Sequence, residues 1–187
     1  MKYLLLTFFS LCLMVESQAQ QTINGVSLPA KLKTATSELN YNGGGVRKKA
    51  FFKVYVLGLY LTDKSKDAAA ILKSNSEMAV RLQITSGVVN SENMSEAIKE
   101  GFTKSTNGNI APLKSKIDEF IGLFSKEPIK EKDVFILNYV PNVGVKTFKN
   151  GKLLATIAGE DFKNALYGIW IGANPIDAAL KTALVGK

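Results

Sequence analysis

Residues 51–61, FFKVYVLGLYL, leave this chain few folds to choose from. The run is aromatic and β-branched, and it is apolar at both odd and even positions. Such a run does not suit an exposed edge strand; it reads as a central strand with both faces covered. Gly58 interrupts it, and a glycine inside a strand marks a bulge or a close backbone approach. Just upstream, Gly43, Gly44 and Gly45 read as a glycine-rich turn that delivers Arg47, Lys48 and Lys49 to the mouth of this strand. The glycines do not make a phosphate loop, which needs Lys-Ser/Thr after the last glycine and a helix next. Here Val46, Arg47 and a strand follow. On the residues alone, the stretch is a core strand with a solvated basic rim.

The rest of the chain supplies partners for that strand. Asn24-Gly25 is a turn signal that predicts a small opening hairpin. Residues 32–39 read as a strand and 66–73 as a short helix. Residues 78–85 alternate cleanly, with Met78, Val80, Leu82 and Ile84 on one side and Arg81 and Gln83 on the other. Two helices follow. Ser91 reads as the cap of the first, whose face is Met94, Ile98, Gly101 and Phe102. Pro112 suits the first turn of the second, whose stripe is Leu113, Ile117, Phe120, Ile121 and Phe124. The aromatic residues of that stripe read first as core. Residues 134–140 are another strand, and Asn150-Gly151 between alternating segments is a strong hairpin signal. Phe162, Ala165, Leu166, Ile169 and Trp170 form a helical stripe, and a last helix reads as capped by Asn174, with Pro175 inside it and Gly186 past its end. Strands, a helical pair, more strands and terminal helices predict an α+β domain: an antiparallel sheet with helices packed on one face.

Residues 1–19 read as a cleaved secretory signal peptide. Lys2 starts it, an apolar stretch follows, and Ser17-Gln18-Ala19 is a small-x-small cleavage site. The stretch is too short to span a bilayer, and no later segment is long enough, so no transmembrane segment is expected. Residues 20–187 then form one domain, expected to be periplasmic or secreted. Beyond Cys12, the chain has no cysteine, and it has no histidine anywhere. That removes disulfides, the usual zinc and haem sites, and every Ser-His-Asp or Cys-His mechanism. No metal site and no cofactor are expected. The net charge of +8 survives removal of residues 1–19, because Lys2 and Glu16 leave together. Its lysines are dispersed, which fits solubility and attraction to anionic ligands or membrane surfaces; an exported protein is not expected to meet nucleic acid.

Three blocks in order, GVRKKAFFKVYVLGLYL, NYVPNVGVKTFKNGKLLATIAG and DFKNALYGIWIG with NPIDAALKTALVG, resemble the chalcone isomerase-like family and its bacterial exported branch. The resemblance covers roughly Val26 to Gly186, almost the whole chain after the expected signal peptide. It implies an open-faced β-sandwich with a ligand cleft between sheet and helices. In the isomerases of that family, an arginine begins the central strand; Arg47 matches it by its place in GVR before GLYL. The family's strand hydroxyl falls near Tyr55 in an ungapped alignment on residues 58–61. The enzymes also carry a lysine before, and a tyrosine and asparagine on, the helix that starts here near Ser91. This chain has Met94, Ser95 and Gly101 around those places and no tyrosine in that helix.

A non-catalytic branch of the same superfamily binds fatty acids through an arginine and a tyrosine. The first expectation is therefore a non-catalytic protein binding a small hydrophobic carboxylate, with Arg47, Tyr55 and Tyr60 as ligand-binding candidates. The second is an isomerase of the intramolecular lyase type, with Arg47 and Tyr55 catalytic. The third is a structural or interaction protein without a small ligand. In a straight strand Arg47 and Tyr55 would be roughly 26 Å apart at about 3.3 Å per residue. A hairpin or sharp bend between Lys48 and Lys53 must bring them together, or Tyr41, Tyr139 or Tyr167 serves instead.

Overall fold

The computed structural model describes residues 20–186; the expected signal peptide lies outside the described residues. A short hairpin, β1 (Gln21–Ile23) and β2 (Val26–Leu28), precedes a seven-stranded antiparallel sheet in simple sequence order. Its strands are β3 (Lys31–Lys33), β4 (Glu38–Lys49), β5 (Phe52–Leu61), β6 (Met78–Ile84), β7 (Val134–Val140), β8 (Gly144–Lys149) and β9 (Lys152–Ile157). The helices are α1 (Ala68–Lys73), α2 (Ser91–Ser105), α3 (Lys114–Leu123), α4 (Glu160–Ile171) and α5 (Ala178–Val185). Among the described residues, no helix is long and apolar enough to cross a membrane.

The alternation along β5 explains both layers. Tyr55, Leu57, Leu59 and Leu61 join the main core with β6, β7 and the helices. Val56 packs on Val26 and Leu28 of the first hairpin, and Tyr60 packs with Leu32, Leu39 and Ala79, both on the opposite face. Covering both faces of one strand is what apolar residues at both odd and even positions required.

Helix α4 is the central helix of the main layer. Phe162, Leu166, Tyr167 and Ile169 are all buried on it, and so is Lys163. Burial depresses the pKa of Lys163, and nearby Glu160 opposes the shift. The Lys163 ammonium donates to Leu72 O at 2.7 Å and Ser74 O at 2.9 Å, satisfying carbonyls at the end of α1. The Tyr167 hydroxyl lies 2.8 Å from Leu137 O and 3.0 Å from Met78 O, which fixes α4 against β6 and β7.

Several sequence expectations need correction. The glycine triplet is not a turn: it runs through the interior of β4. Gly43 lies under the carbonyls of Ala183 and Leu184 of α5, and Gly45 lies under Leu180 and Ala183. Gly44 faces the other way, under Leu28. The glycines let two elements approach the strand from opposite sides, a demand that sequence does not display. Residues 32–39 are not one strand but the end of β3, a turn and the start of β4. The turn is pinned by Glu77, whose carboxylate accepts from the hydroxyls of Thr34, Thr36 and Ser37 and from the Asn138 amide. Helix α2 is capped by Asn90 in a capping box with Asn93, so Ser91 is its first residue. Pro112 lies in a 3-10 turn, Ala111–Leu113, ahead of α3. Helix α5 is capped by Asp177 and not Asn174, because Asp177 Oδ1 accepts from Leu180 N at 3.0 Å. Both Asn-Gly hairpins form as expected, with positive φ at Asn24, Gly25, Asn150 and Gly151.

Candidate functional site

Strands β4 and β5 are joined by a two-residue turn, Ala50-Phe51, which sets Arg47 directly opposite Tyr55. A shift of register between Arg47 and Lys48 accompanies the pairing. The hairpin answers the distance problem: directly opposite residues have Cβ atoms about 5 Å apart. Both side chains point to the helical side and line a cavity of about 390 Å³ between sheet and helices. That is within the usual size of a small-ligand site.

The polar end of the cavity is built by residues of β4, β5 and α4, backed by the N-cap of α5. Arg47 of β4 donates through Nη1 to Lys48 O and to Asp177 Oδ2, the latter at 3.3 Å. Arg47 and Asp177 are each only 17% exposed at the side chain, so this is a partly desolvated pair. Trp170 Nε1 of α4 donates to the Tyr55 hydroxyl at 3.0 Å. The Tyr55 phenol is buried, and burial raises its pKa to about 12 against opposing interactions with Trp170 and Arg47. At neutral pH it is therefore a neutral phenol, and the Trp170 contact leaves its own O–H as a donor. A guanidinium has five N–H donors, more than its contacts with Lys48, Asp177 and Tyr55 consume. Glu100 of α2 also lines the cavity, and its hydrogen bond with Lys104 holds its carboxyl below the usual range.

The body of the cavity is apolar. Leu82 and Leu137 supply the sheet side, Met94 and Ile98 the α2 side, and Phe120 and Phe124 the α3 side. The two phenylalanines are thus core and cavity wall at once, packed edge to face with centroids 5.2 Å apart. Among the described residues, no group of three or more His, Cys, Asp or Glu side chains could hold a metal ion.

Of the residues singled out from sequence, the structure brings Arg47 and Tyr55 together at one end of this cavity. Tyr60 is five residues from Tyr55, so it projects from the opposite face of the sheet, edge to face with Tyr41. Tyr139 and Tyr167 are on the helical side but do not line the cavity: Tyr139 donates to Asn75, and Tyr167 is held by strand carbonyls. Sequence reasoning missed Trp170 and Asp177 as site residues. Trp170 was legible only as part of a core stripe. Asp177 carried a cap signal, Asp-x-x-Leu, that Asn174-Pro175 obscured.

The sequence matches the chalcone isomerase-like family over residues 20–186. The chain belongs to the chalcone isomerase-like family. No curated protein matches it. Among solved structures, it is similar to the crystal structure of an Arabidopsis thaliana fatty-acid binding protein, with a TM-score of 0.72 and 18% identity. That alignment covers 89% of this chain and 96% of the plant protein, so the whole chalcone isomerase-like fold is shared. Helix α2 presents Asn93, Met94, Ala97, Ile98 and Glu100 to the cavity and carries no tyrosine, and the Asn93 side chain is engaged with Asn90 N and Val88 O.

Proposed function

We propose that this protein is a non-catalytic binder of a small hydrophobic carboxylate of the fatty-acid type. The observation that carries the reading is one pair: Arg47 faces Tyr55 in register at the polar end of an otherwise apolar cavity. A guanidinium recognises a carboxylate through parallel charge-assisted bonds, and the neutral phenol adds a further donor. The apolar walls suit an alkyl or aryl tail. The name of the plant structural neighbour, a fatty-acid binding protein, supports the same ligand class. The chain offers no histidine for proton transfer. Its buried tyrosine is pushed away from the pKa range that a general base needs.

The test uses delipidated protein and cis-parinaric acid. Trp170 is the sole tryptophan and lies in the cavity wall, so its emission should fall as the polyene binds. Affinity should be nearly flat from about pH 6 to 10. It should weaken as pH falls through the carboxylate range, about 4 to 5, where the ligand loses its charge. It should weaken again as Tyr55 ionises toward its pKa of about 12, where a donor becomes a repelling anion. Absence of saturable quenching by any apolar acid would sink the reading.

Asp177 competes with such a ligand for Arg47. Asp177→Asn keeps a good N-cap for α5 but removes the competing charge. It is expected to tighten cis-parinaric acid binding up to about fivefold, the equivalent of about 1 kcal/mol. Weaker binding by a stably folded Asp177→Asn would show instead that the pair positions the guanidinium.

A further inference from the structure

The end of the β4–β5 hairpin exposes an apolar surface that ligand binding alone does not use. Phe51 is 99% exposed and Phe52 is 52% exposed. Val88, 44% exposed in the segment between β6 and α2, lines the cavity together with Phe52, Ala50 and Lys49, so the cavity reaches the surface here. The turn also breaks the habit of this chain. Its other two-residue hairpin turns are Asn24-Gly25 and Asn150-Gly151, residues that accept positive φ easily. This one is Ala50-Phe51, and Ala50 takes φ 51°, a region that a β-carbon disfavours. Asn-Gly here would relieve the backbone and remove the exposed ring. Neither the fold nor the cavity gains from Phe51, which touches solvent on nearly all its surface and does not line the cavity.

The charge around the tip is one-sided. Lys48, Lys49 and Lys53 flank the two phenylalanines, and residues 43–62 contain no Asp or Glu. Across the cavity mouth Glu100 faces Lys49 and Arg47. Phenylalanine rings bury at the boundary between headgroups and acyl chains, and lysines beside them are drawn to anionic lipid. A convex tip of this kind suits a fluid surface that closes around it.

We propose that the β4–β5 hairpin end docks the protein on an anionic lipid bilayer, with Phe51 entering the headgroup region, the flanking lysines on lipid phosphates, and the cavity mouth turned to the membrane. Docking delivers the hydrophobic acid between bilayer and cavity, so its purpose rests on the binding function proposed above, while docking itself is measurable without any ligand.

Purified protein is sedimented with phosphatidylcholine vesicles with and without phosphatidylglycerol. Wild type should bind the anionic vesicles, and binding should fall steeply as salt shortens the screening length. Phe51→Ser should weaken it by about tenfold, and Lys48→Gln with Lys53→Gln by about tenfold or more. None of these residues lines the cavity, so both variants should quench with cis-parinaric acid in solution as wild type does. Phe51→Ser should also slow uptake of cis-parinaric acid from anionic vesicles. Three results would overturn docking: no vesicle binding by wild type, equal binding by wild type and Phe51→Ser, or tip-dependent self-association without vesicle binding. Each would leave solution binding of the fatty acid intact as a separate result. Loss of solution binding with tip-dependent sedimentation retained would instead remove the ligand and keep the docking surface.

Discussion

Gly43→Ala is expected to lower the unfolding free energy by about 3 kcal/mol or more, near the upper end of overpacking effects. A β-carbon at Gly43 would overlap the carbonyl oxygens of Ala183 and Leu184 and lie 2.8 Å from the Leu184 carbonyl carbon. Those atoms are helix backbone and cannot rotate aside; α5 must move off β4 or the strand must bend. Gly45→Ala provides the comparison. There the β-carbon would meet Leu180 Cδ1 at 2.9 Å and Ala183 Cβ at 3.0 Å, and one of these is the end of a flexible side chain. Gly151→Ala meets open space but holds φ 84°, so its cost is the left-handed backbone alone, about 1–2 kcal/mol. Denaturant midpoints should therefore rank Gly43→Ala as the least stable of the three. Equal midpoints for Gly43→Ala and Gly151→Ala would show that α5 is not seated on the strand. The displacement also reaches the site, because the N-cap of α5 is Asp177, the ion partner of Arg47.

The glycine triplet shows where sequence reading stops. Strands β5 and β7, the two Asn-Gly hairpins and the apolar faces of α2 to α4 were legible because each is a local pattern: alternation, a turn dipeptide or a helical stripe. A glycine run in a strand has no such pattern. Its cause is the approach of α5 from one side and Leu28 from the other, from residues far apart in the chain. The candidate site divides in the same way. Arg47 and Tyr55 were marked by the family resemblance, but their distance turned on whether residues 50–51 reverse the chain. Ala-Phe is not a dipeptide that announces a turn. Trp170 looked like core because it is core: it is buried, and only its N–H reaches the Tyr55 hydroxyl. A side chain that packs and positions at once carries the sequence signal of packing only.

Arg47→Ala should weaken cis-parinaric acid binding by about ten- to a hundredfold, the loss of one charge-assisted interaction of about 1.5–3 kcal/mol. The fold should survive. Arg47 stands at the end of β4 near the cavity mouth, and the Asp177 it leaves behind keeps its bond to Leu180 N and caps α5. The sharper readout is selectivity. Wild type should prefer a fatty acid to the matching fatty alcohol, and Arg47→Ala should bind both alike, because the apolar walls remain. Arg47→Lys separates charge from shape: it restores attraction for the carboxylate but not the planar fork, so its affinity should fall between the two. Tyr55→Phe should cost less than Arg47→Ala, about tenfold, since it removes one neutral donor and leaves the Trp170 N–H without its acceptor. If Arg47→Ala keeps both affinity and the preference for acid over alcohol, the carboxylate is held elsewhere. Lys49, the other cation that lines the cavity, is then the next residue to replace.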